Sequence, residues 1–166
     1  RKYLSILYKF QKIIALYLAI CYNEPGMKEK WGEDKMNLGI IAHNSKKVLI
    51  EDFCIAYKNI LAKHEVYATG TTGRRIEEVT GLHVHKFLSG SIGGDKQFME
   101  MVEREDLDMV ILFYNPAMMD AKEPDVFSIA RRCDQYNIPV ATNIATAELL
   151  ILGLARGDLD WRLNLK

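Results

Sequence analysis

Four short segments of the sequence combine glycines, hydroxyl groups and ionisable side chains directly after apolar runs. They are AHNSKK at residues 42–47, YATGTTG at 67–73, SGSIGGD at 89–95 and YNP at 114–116. Backbone N–H groups of glycine-rich turns and of helix N-termini bind anions, and serine and threonine hydroxyls add donors. The segments together predict a phosphate-binding site, although TGTTG alone is at least as typical of a threonine that caps a helix.

Two aspartates could perform acid–base chemistry beside such a phosphate. Asp95 follows a pair of glycines and Asp125 follows Pro124, so each is predicted in the first turn of a helix. The helix dipole favours a carboxylate there, which would explain either residue structurally. Beside one phosphate site, the pair could instead act as a general base and an electrostatic stabiliser. Lys47 could add a point charge and His43 a donor to a substrate oxygen; a solvated lysine and a structural histidine are the alternatives.

The elements that must position these residues follow from the hydrophobic periodicity. From residue 36 onward, apolar runs of strand length alternate with stretches in which apolar residues recur at helical spacing. Strands are predicted at residues 38–42, 66–69, 82–88, 109–114 and 138–142, with helices between them, the fourth of which is expected to open at Pro124. This alternation predicts an α/β fold, a single doubly wound domain with a mainly parallel five-stranded sheet. Ligands bind at the carboxyl ends of such strands, where all four segments fall.

Composition narrows the class of protein. The 166 residues are 49% hydrophobic, and 22 Lys and Arg balance 22 Asp and Glu, so the electrostatic footprint of a nucleic-acid-binding protein is missing. Cys21, Cys54 and Cys133 are far apart, which predicts reduced thiols and a cytoplasmic location rather than disulfides or a zinc site. His83 and His85 share one strand face without a third ligand, and we expect no metal there.

The N-terminal part of the chain differs from the rest. Residues 1–22 begin with basic residues and become apolar from Ile13, which predicts a helix too short to span a bilayer. Residues 23–35 are polar and contain Pro25 and Gly26, as expected of a linker before a compact domain at residues 36–166. The helix could dock on the domain, on a partner or on a membrane surface, so a tethered protein is one hypothesis.

The segment from Asn37 to Ile151 resembles the methylglyoxal synthase family. The similarity rests on AHNSKK, VYATGTTG, FLSGSIGGDKQ, EPDV and RRCDQYNIPVATNIATAELLI, and it covers roughly seventy per cent of the chain. The closing ARGDLDWR also looks like the ending of some bacterial members. YATGTTG, GGDKQ and NIPVATN in this order are far more specific than a lone glycine motif.

This resemblance implies a homohexameric cytoplasmic lyase of a glycolytic bypass. Its reaction converts dihydroxyacetone phosphate to methylglyoxal and inorganic phosphate without metal or cofactor, and phosphate is both product and inhibitor. Asp95 matches the aspartate that removes a proton alpha to the carbonyl, and Asp125 matches the second essential carboxylate. The matching substrate-contacting positions, most of them around the phosphate, are His43, Lys47, Thr69, Gly70, Thr71, Thr72, Ser89 and Gly90.

Three positions depart from the family pattern. Lys122 stands where the family commonly has a histidine that helps to polarise the carbonyl, and Asn44 and Asn115 stand where it usually has aspartates. A lysine supplies positive charge but is a poorer proton shuttle near neutral pH. Two interpretations follow: a working synthase with a changed rate, or a weak or inactive relative that binds a phosphorylated ligand as a regulatory module. The presence of Asp95 and Asp125 favours the lyase.

Overall fold

The computed structural model describes residues 35–117 and 125–165. The predicted N-terminal helix at residues 1–22, the predicted linker up to residue 34, and Lys122 lie outside these ranges. The described strands are β1 (Asn37–Ala42), β2 (Glu65–Ala68), β3 (His85–Lys86), β4 (Met109–Phe113) and β5 (Val140–Ala141). The described α-helices are α1 (Lys47–Ala56), α2 (Lys58–Leu61), α3 (Gly70–Thr80), α4 (Gly94–Glu103), α5 (Val126–Gln135) and α6 (Ile144–Arg156).

The five strands form one sheet with the order β3-β2-β1-β4-β5, and every neighbouring pair is parallel. This confirms the predicted α/β class and the five-stranded sheet. Some boundaries were predicted wrongly. Strand β5 covers only Val140–Ala141 rather than residues 138–142. The third strand is only two residues long, because this edge strand pairs with β2 only at His85 and Lys86. Helix α5 begins at Val126 rather than at Pro124, because Asp125 occupies the N-cap position.

Two apolar layers hold helices on opposite faces of the sheet. Helices α1, α3 and α6 pack over one face, and α4 and α5 pack over the other. The central strands β1 and β4 contribute to both layers, since Ile40 and Ile41 face opposite sides and both are fully buried. This agrees with the absence of polar alternation in these two runs. None of the helices in the described ranges combines the length and the hydropathy that crossing a bilayer requires.

The amino edge of the sheet is covered by a 3-10 helix at Asp160–Leu165. Its Arg162 is 3% exposed, and its Nε lies 3.8 Å from Oδ1 of Asp108, which directly precedes β4. Arg162 Nη1 donates to the carbonyl of Asn137 at 2.5 Å, and Asp108 Oδ2 accepts the amide of Asn37 at 2.9 Å. This buried ion pair joins the C-terminal segment to the starts of β1 and β4. The polar segments predicted from the sequence lie at the opposite, carboxyl edge.

Candidate active site

The first turn of α3 surrounds the amino group of Lys47. Lys47 Nζ donates to the carbonyl of Ala42 and to Oγ1 of Thr72, both at 2.5 Å. Thr69 Oγ1 donates to the same Thr72 oxygen at 3.2 Å. Thr69 occupies the N-cap position, but its side chain makes no capping hydrogen bond, so the alternative of a threonine side-chain cap is wrong here. The hydroxyls of Thr69 and Thr72 instead form one buried group with the lysine.

This corner concentrates positive potential. Lys47 is the first residue of α1 and its amino group reaches the first turn of α3, so a cation lies at the positive ends of two helices. Lys47 is only 6% exposed, and burial makes a charge costly unless partners compensate it. Backbone N–H groups at the start of a helix and an ammonium group favour the same kind of ligand. The corner is suited to an anion such as a phosphate group.

The starts of α3 and α4 meet on the same stretch of backbone. The amide of Gly70 donates to the carbonyl of Leu88 at 3.1 Å, and the amide of Gly94 donates to the carbonyl of Ser89 at 3.0 Å. A Cβ atom on Gly94 would lie 1.8 Å from the Leu88 carbonyl oxygen, and one on Gly70 would lie 2.8 Å from the oxygen of Phe87. Real Cβ atoms do not approach this closely, so glycine is required at both helix starts.

Asp95 follows Gly94 in the first turn of α4 and is partly exposed. Its Oδ1 accepts the amide of Lys96 at 3.0 Å, and no side chain in residues 35–117 or 125–165 donates to its carboxylate. The N-cap residue Gly93 has no side chain to satisfy the first N–H groups of the helix. Asp95 therefore lies beside the Ser89 loop with a carboxylate that is available as a proton acceptor.

Asp125 is held differently. It is the N-cap of α5, and its carboxylate accepts the Ser128 amide at 3.1 Å and the Ser128 hydroxyl at 2.5 Å. The hydrogen bond from the Ser128 hydroxyl is the largest cause that holds the pKa of Asp125 below its ordinary value, and the bond from the Ser128 amide is the second. The structural explanation for an aspartate at a helix start is confirmed for this residue, and a catalytic role for it stays a prediction.

His43 links β1 to the loop after β4. It is 6% exposed, its amide donates to the carbonyl of Phe113 at 2.8 Å, and its Nδ1 accepts the Asn115 amide at 3.4 Å. An accepting Nδ1 places the proton of the neutral ring on Nε2, which can then donate. The ring contacts Tyr114 edge-on at 6.2 Å between centroids, and Tyr114 contacts Phe127 of α5 in the same way at 5.8 Å.

These contacts connect the four predicted segments and the start of α5 along the carboxyl edge. Thr71 is exposed in the first turn of α3, and Gly90 opens a short 3-10 helix before Gly93. His83 and His85 lie on the β3 side of the sheet, where the His85 ring stacks on Tyr67 at 4.6 Å between centroids and His85 Nε2 is 2.9 Å from Glu65. No group of three or more potential metal ligands occurs within residues 35–117 and 125–165.

One residue beside the site was not identified from the sequence. Gln97 lies in the GGDKQ motif, and its Oε1 accepts the amide of Leu88 at 2.8 Å. The two residues are nine positions apart in the chain. No local pattern marks a glutamine on a helix surface as the partner of a loop amide, because the fold alone decides that the two meet.

Comparison with known proteins identifies the family. Residues 50–142 match the model of the MGS-like domain. The methylglyoxal synthase of Caldicellulosiruptor saccharolyticus is 57% identical over 127 residues, which cover 76% of this chain and 90% of that protein. For the methylglyoxal synthase of Geobacillus thermodenitrificans, the identity is 53% over 127 residues, covering 76% and 88%. The crystal structure of methylglyoxal synthase from Elizabethkingia anophelis is similar with a TM-score of 0.68 and 34% identity, covering 70% of this chain and 77% of that one. The sequence motifs, the parallel sheet and these relatives together show that the chain belongs to the methylglyoxal synthase family.

Proposed function

We propose that the protein is a methylglyoxal synthase, a lyase that converts dihydroxyacetone phosphate into methylglyoxal and inorganic phosphate. The observation that carries the proposal is the buried amino group of Lys47, hydrogen-bonded to Thr72 in the first turn of α3. A cation and a helix N-terminus meet there, beside the loop that leads into the helix of Asp95. Membership of the family supports the same conclusion.

The phosphate group of the substrate binds at this corner. Lys47 supplies the charge, and the first turn of α3 supplies N–H groups that its N-cap side chain does not occupy. The residues assigned to the phosphate are Lys47, Thr69, Gly70, Thr71, Thr72, Ser89 and Gly90. Because the phosphate is held by several groups at once, its bond to carbon can be fixed in the orientation that elimination requires.

Asp95 acts as the general base. It removes a proton from the hydroxymethyl carbon alpha to the carbonyl, and the electron pair of that C–H bond forms an ene-diolate. The ene-diolate then expels phosphate: the bond between the neighbouring carbon and the bridging oxygen breaks, and its electron pair leaves with the phosphate. The enol that remains becomes methylglyoxal by gaining a proton on carbon and losing the proton of its hydroxyl group, and the proton taken by Asp95 leaves with the phosphate. Elimination proceeds readily only if the breaking bond lies parallel to the p orbitals of the ene-diolate.

The carbonyl end of the substrate is assigned to three further residues. His43 donates from Nε2 to a substrate oxygen, since its Nδ1 accepts the Asn115 amide. Lys122 takes the position of the family histidine and adds positive charge near the developing oxyanion; it lies outside the described residues. Asp125 is the second carboxylate, and the hydrogen bonds from Ser128 that lower its pKa favour its ionised form.

The proposal includes a homohexamer in the cytoplasm, serving a glycolytic bypass that consumes triose phosphate. Apolar side chains on α6 support association, because Ile144, Leu149 and Leu152 are 41%, 72% and 39% exposed. Contact between copies would remove this surface from water. Sedimentation velocity would test the hexamer, and fractionation of the source cells would test the location. A monomer at micromolar concentration would contradict the assembly but not the reaction.

The test of the reaction is an assay of the purified chain with dihydroxyacetone phosphate. We expect methylglyoxal and phosphate to appear in equal amounts, with inorganic phosphate as a competitive inhibitor. Lys47→Met should weaken phosphate inhibition by about tenfold or more, since it removes a charge-assisted hydrogen bond. A wild-type protein that binds phosphate without forming methylglyoxal would contradict the proposal and favour a regulatory module.

A further inference from the structure

The main chain of Leu88 joins the two helix starts of the candidate site. Its N–H donates to Oε1 of Gln97 in α4 at 2.8 Å, and its carbonyl accepts the amide of Gly70 at the start of α3 at 3.1 Å. The two peptide groups that flank the Leu88 Cα therefore each carry a hydrogen bond to one helix. The helix of Gln97 bears Asp95, and the helix of Gly70 forms part of the proposed phosphate site.

Gln97 contributes a side-chain hydrogen bond to this connection. Backbone contacts already set how closely the segments approach, because a Cβ at Gly94 would collide with the Leu88 carbonyl. Close packing prevents the helix from moving inward, but it does not prevent the loop from moving away. Hydrogen bonds resist the outward movement: the Gly94 amide donates to the Ser89 carbonyl, and Gln97 adds a side-chain bond from the first turn of α4.

We propose that Gln97 is a positioning residue for catalysis: it holds the Asp95 turn of α4 at a fixed distance from the phosphate-binding residues through the main chain of Leu88. The proposal rests on the proposed function, since it takes Asp95 as the base. Gln97 does not touch the substrate in this arrangement. Its effect is on the geometry of proton removal, in which small displacements lower the rate strongly.

The experiment compares Gln97→Met, which keeps the length of the side chain but loses the acceptor, with Gln97→Glu, which keeps an acceptor. Gln135→Met is the matched control, because Gln135 is also an exposed helical glutamine whose Oε1 accepts one hydrogen bond, from Arg132 at 3.0 Å. We expect Gln97→Met to lower kcat about threefold to tenfold, the effect of one exposed hydrogen bond. Inhibition by inorganic phosphate should stay unchanged, and Gln135→Met should leave both quantities unchanged.

Two further measurements separate positioning from a general loss of structure. Amide hydrogen exchange at Leu88 should become faster in Gln97→Met and return to the wild-type rate in Gln97→Glu. In an Asp95→Asn background, Gln97→Met should cause no further loss of the residual rate, because the base that it positions is already absent.

Three results would overturn the inference while the wild type remains active. The first is an unchanged kcat in Gln97→Met. The second is a weakening of phosphate inhibition in Gln97→Met by the same factor as kcat, and the third is an unchanged rate of amide exchange at Leu88 in that variant. A wild-type chain that forms no methylglyoxal would instead refute the proposed function, and with it the role of Gln97. The wild-type assay thus distinguishes the two failures.

Discussion

The starts of α4 and α5 place an aspartate in similar local sequence and use it differently. At α5, Asp125 is the N-cap, and Ser128 binds both of its carboxylate oxygens. At α4, Gly93 is the N-cap and Asp95 lies two residues further on, where it accepts only the adjacent Lys96 amide among the described residues. Asp125, at the cap position, is engaged in helix structure, whereas Asp95, two positions after the cap, has a carboxylate that is available for chemistry.

The same contrast extends to the neighbouring helices. At α6, the Asn143 side chain caps by accepting the Thr146 amide at 3.0 Å, whereas at α3 the Thr69 side chain makes no capping bond. Helices α3 and α4, which flank the Ser89 loop, thus begin without side-chain caps, and α5 and α6 begin with them. At α3 no N-cap side chain competes with a ligand for the N–H groups of the first turn, and this is where we propose that phosphate binds.

Neutralising the carboxylate of Asp95 should have the largest effect on kcat. Asp95→Asn removes the proposed base, and we expect kcat to fall about a hundredfold to ten-thousandfold, the usual contribution of general base catalysis. Inhibition by phosphate should stay close to that of the wild type. Methylglyoxal formation at saturating substrate measures the effect. If Asp95→Asn kept half of the wild-type rate, Asp95 would not be the base, and the proposed functional difference between the starts of α4 and α5 would be wrong.

Displacing the start of α4 without changing Asp95 should have the next largest effect. A Cβ at Gly94 must move the Leu88 carbonyl, so Gly94→Ala should lower kcat by roughly a hundredfold, as expected for an ångström-scale displacement. The free energy of unfolding should fall by about 1–3 kcal/mol, which urea denaturation measures.

Gly153→Ala in α6 is the control for this change. A Cβ there would meet its nearest atom, a side-chain oxygen of Asp158, at 3.4 Å. We expect the free energy of unfolding to stay the same or to rise by up to about 1 kcal/mol, since alanine is the better helix former. If Gly94→Ala behaved like this control, the close approach of α4 to Leu88 would not matter for the site.

Removing the cap of α5 tests the other side of the comparison. Asp125→Ala should lower the free energy of unfolding by about 1 kcal/mol. Asp125→Asn should lower it by less, because the asparagine oxygen still accepts the Ser128 amide while its NH2 group cannot accept the Ser128 hydroxyl. Denaturation at pH 7 measures both variants. Any loss of kcat in Asp125→Asn then reports the charge of Asp125 alone. Equal destabilisation by both substitutions would show that the cap depends on the carboxylate charge.

The smallest effect is expected from Ser128→Ala, which deletes the hydroxyl bonded to Asp125. The depressed pKa of Asp125 contributes stability that is fully present above its unfolded-state pKa of about 3.9 and is lost as pH falls through the folded-state value. Without the hydroxyl, the pKa of Asp125 should rise towards its ordinary value. The free energy of unfolding at pH 7 should fall by about 0.5 kcal/mol or less, because solvent screens this exposed bond, and the difference from wild type should shrink in acid.

The matched control is Thr146→Ala, which removes the hydroxyl beside Asn143 in the cap of α6. Asparagine does not titrate, so this loss of stability should be the same at pH 7 and in acid. NMR titration measures the pKa of Asp125 in Ser128→Ala. Urea denaturation at pH 7 and in acid measures the free energy of unfolding of Ser128→Ala and of Thr146→Ala. A pH-independent loss in Ser128→Ala would contradict the hydrogen bond as the cause of the depressed pKa.

Most of the architecture could be predicted because its signals are local. The apolar runs of β1 and β4 are buried on both faces, as their lack of polar alternation predicted. Boundaries were less predictable at β3 and α5. The pattern at residues 82–88 alternates over seven residues, but an edge strand extends only as far as its single neighbour pairs with it.

The sequence by itself determined the order of strands and helices and the concentration of glycines, hydroxyls and charges after the strands. Hydrophobic periodicity and loop composition are properties of neighbouring residues, and they do not depend on the rest of the fold. Tertiary structure alone decided which of these groups interact. Thr72 bonds Lys47 25 positions away, and Gln97 bonds Leu88 nine positions away. Whether a hydroxyl caps its own helix or joins a buried lysine depends on which segment the fold brings beside it, because a hydrogen bond requires its donor and acceptor within about 3 Å.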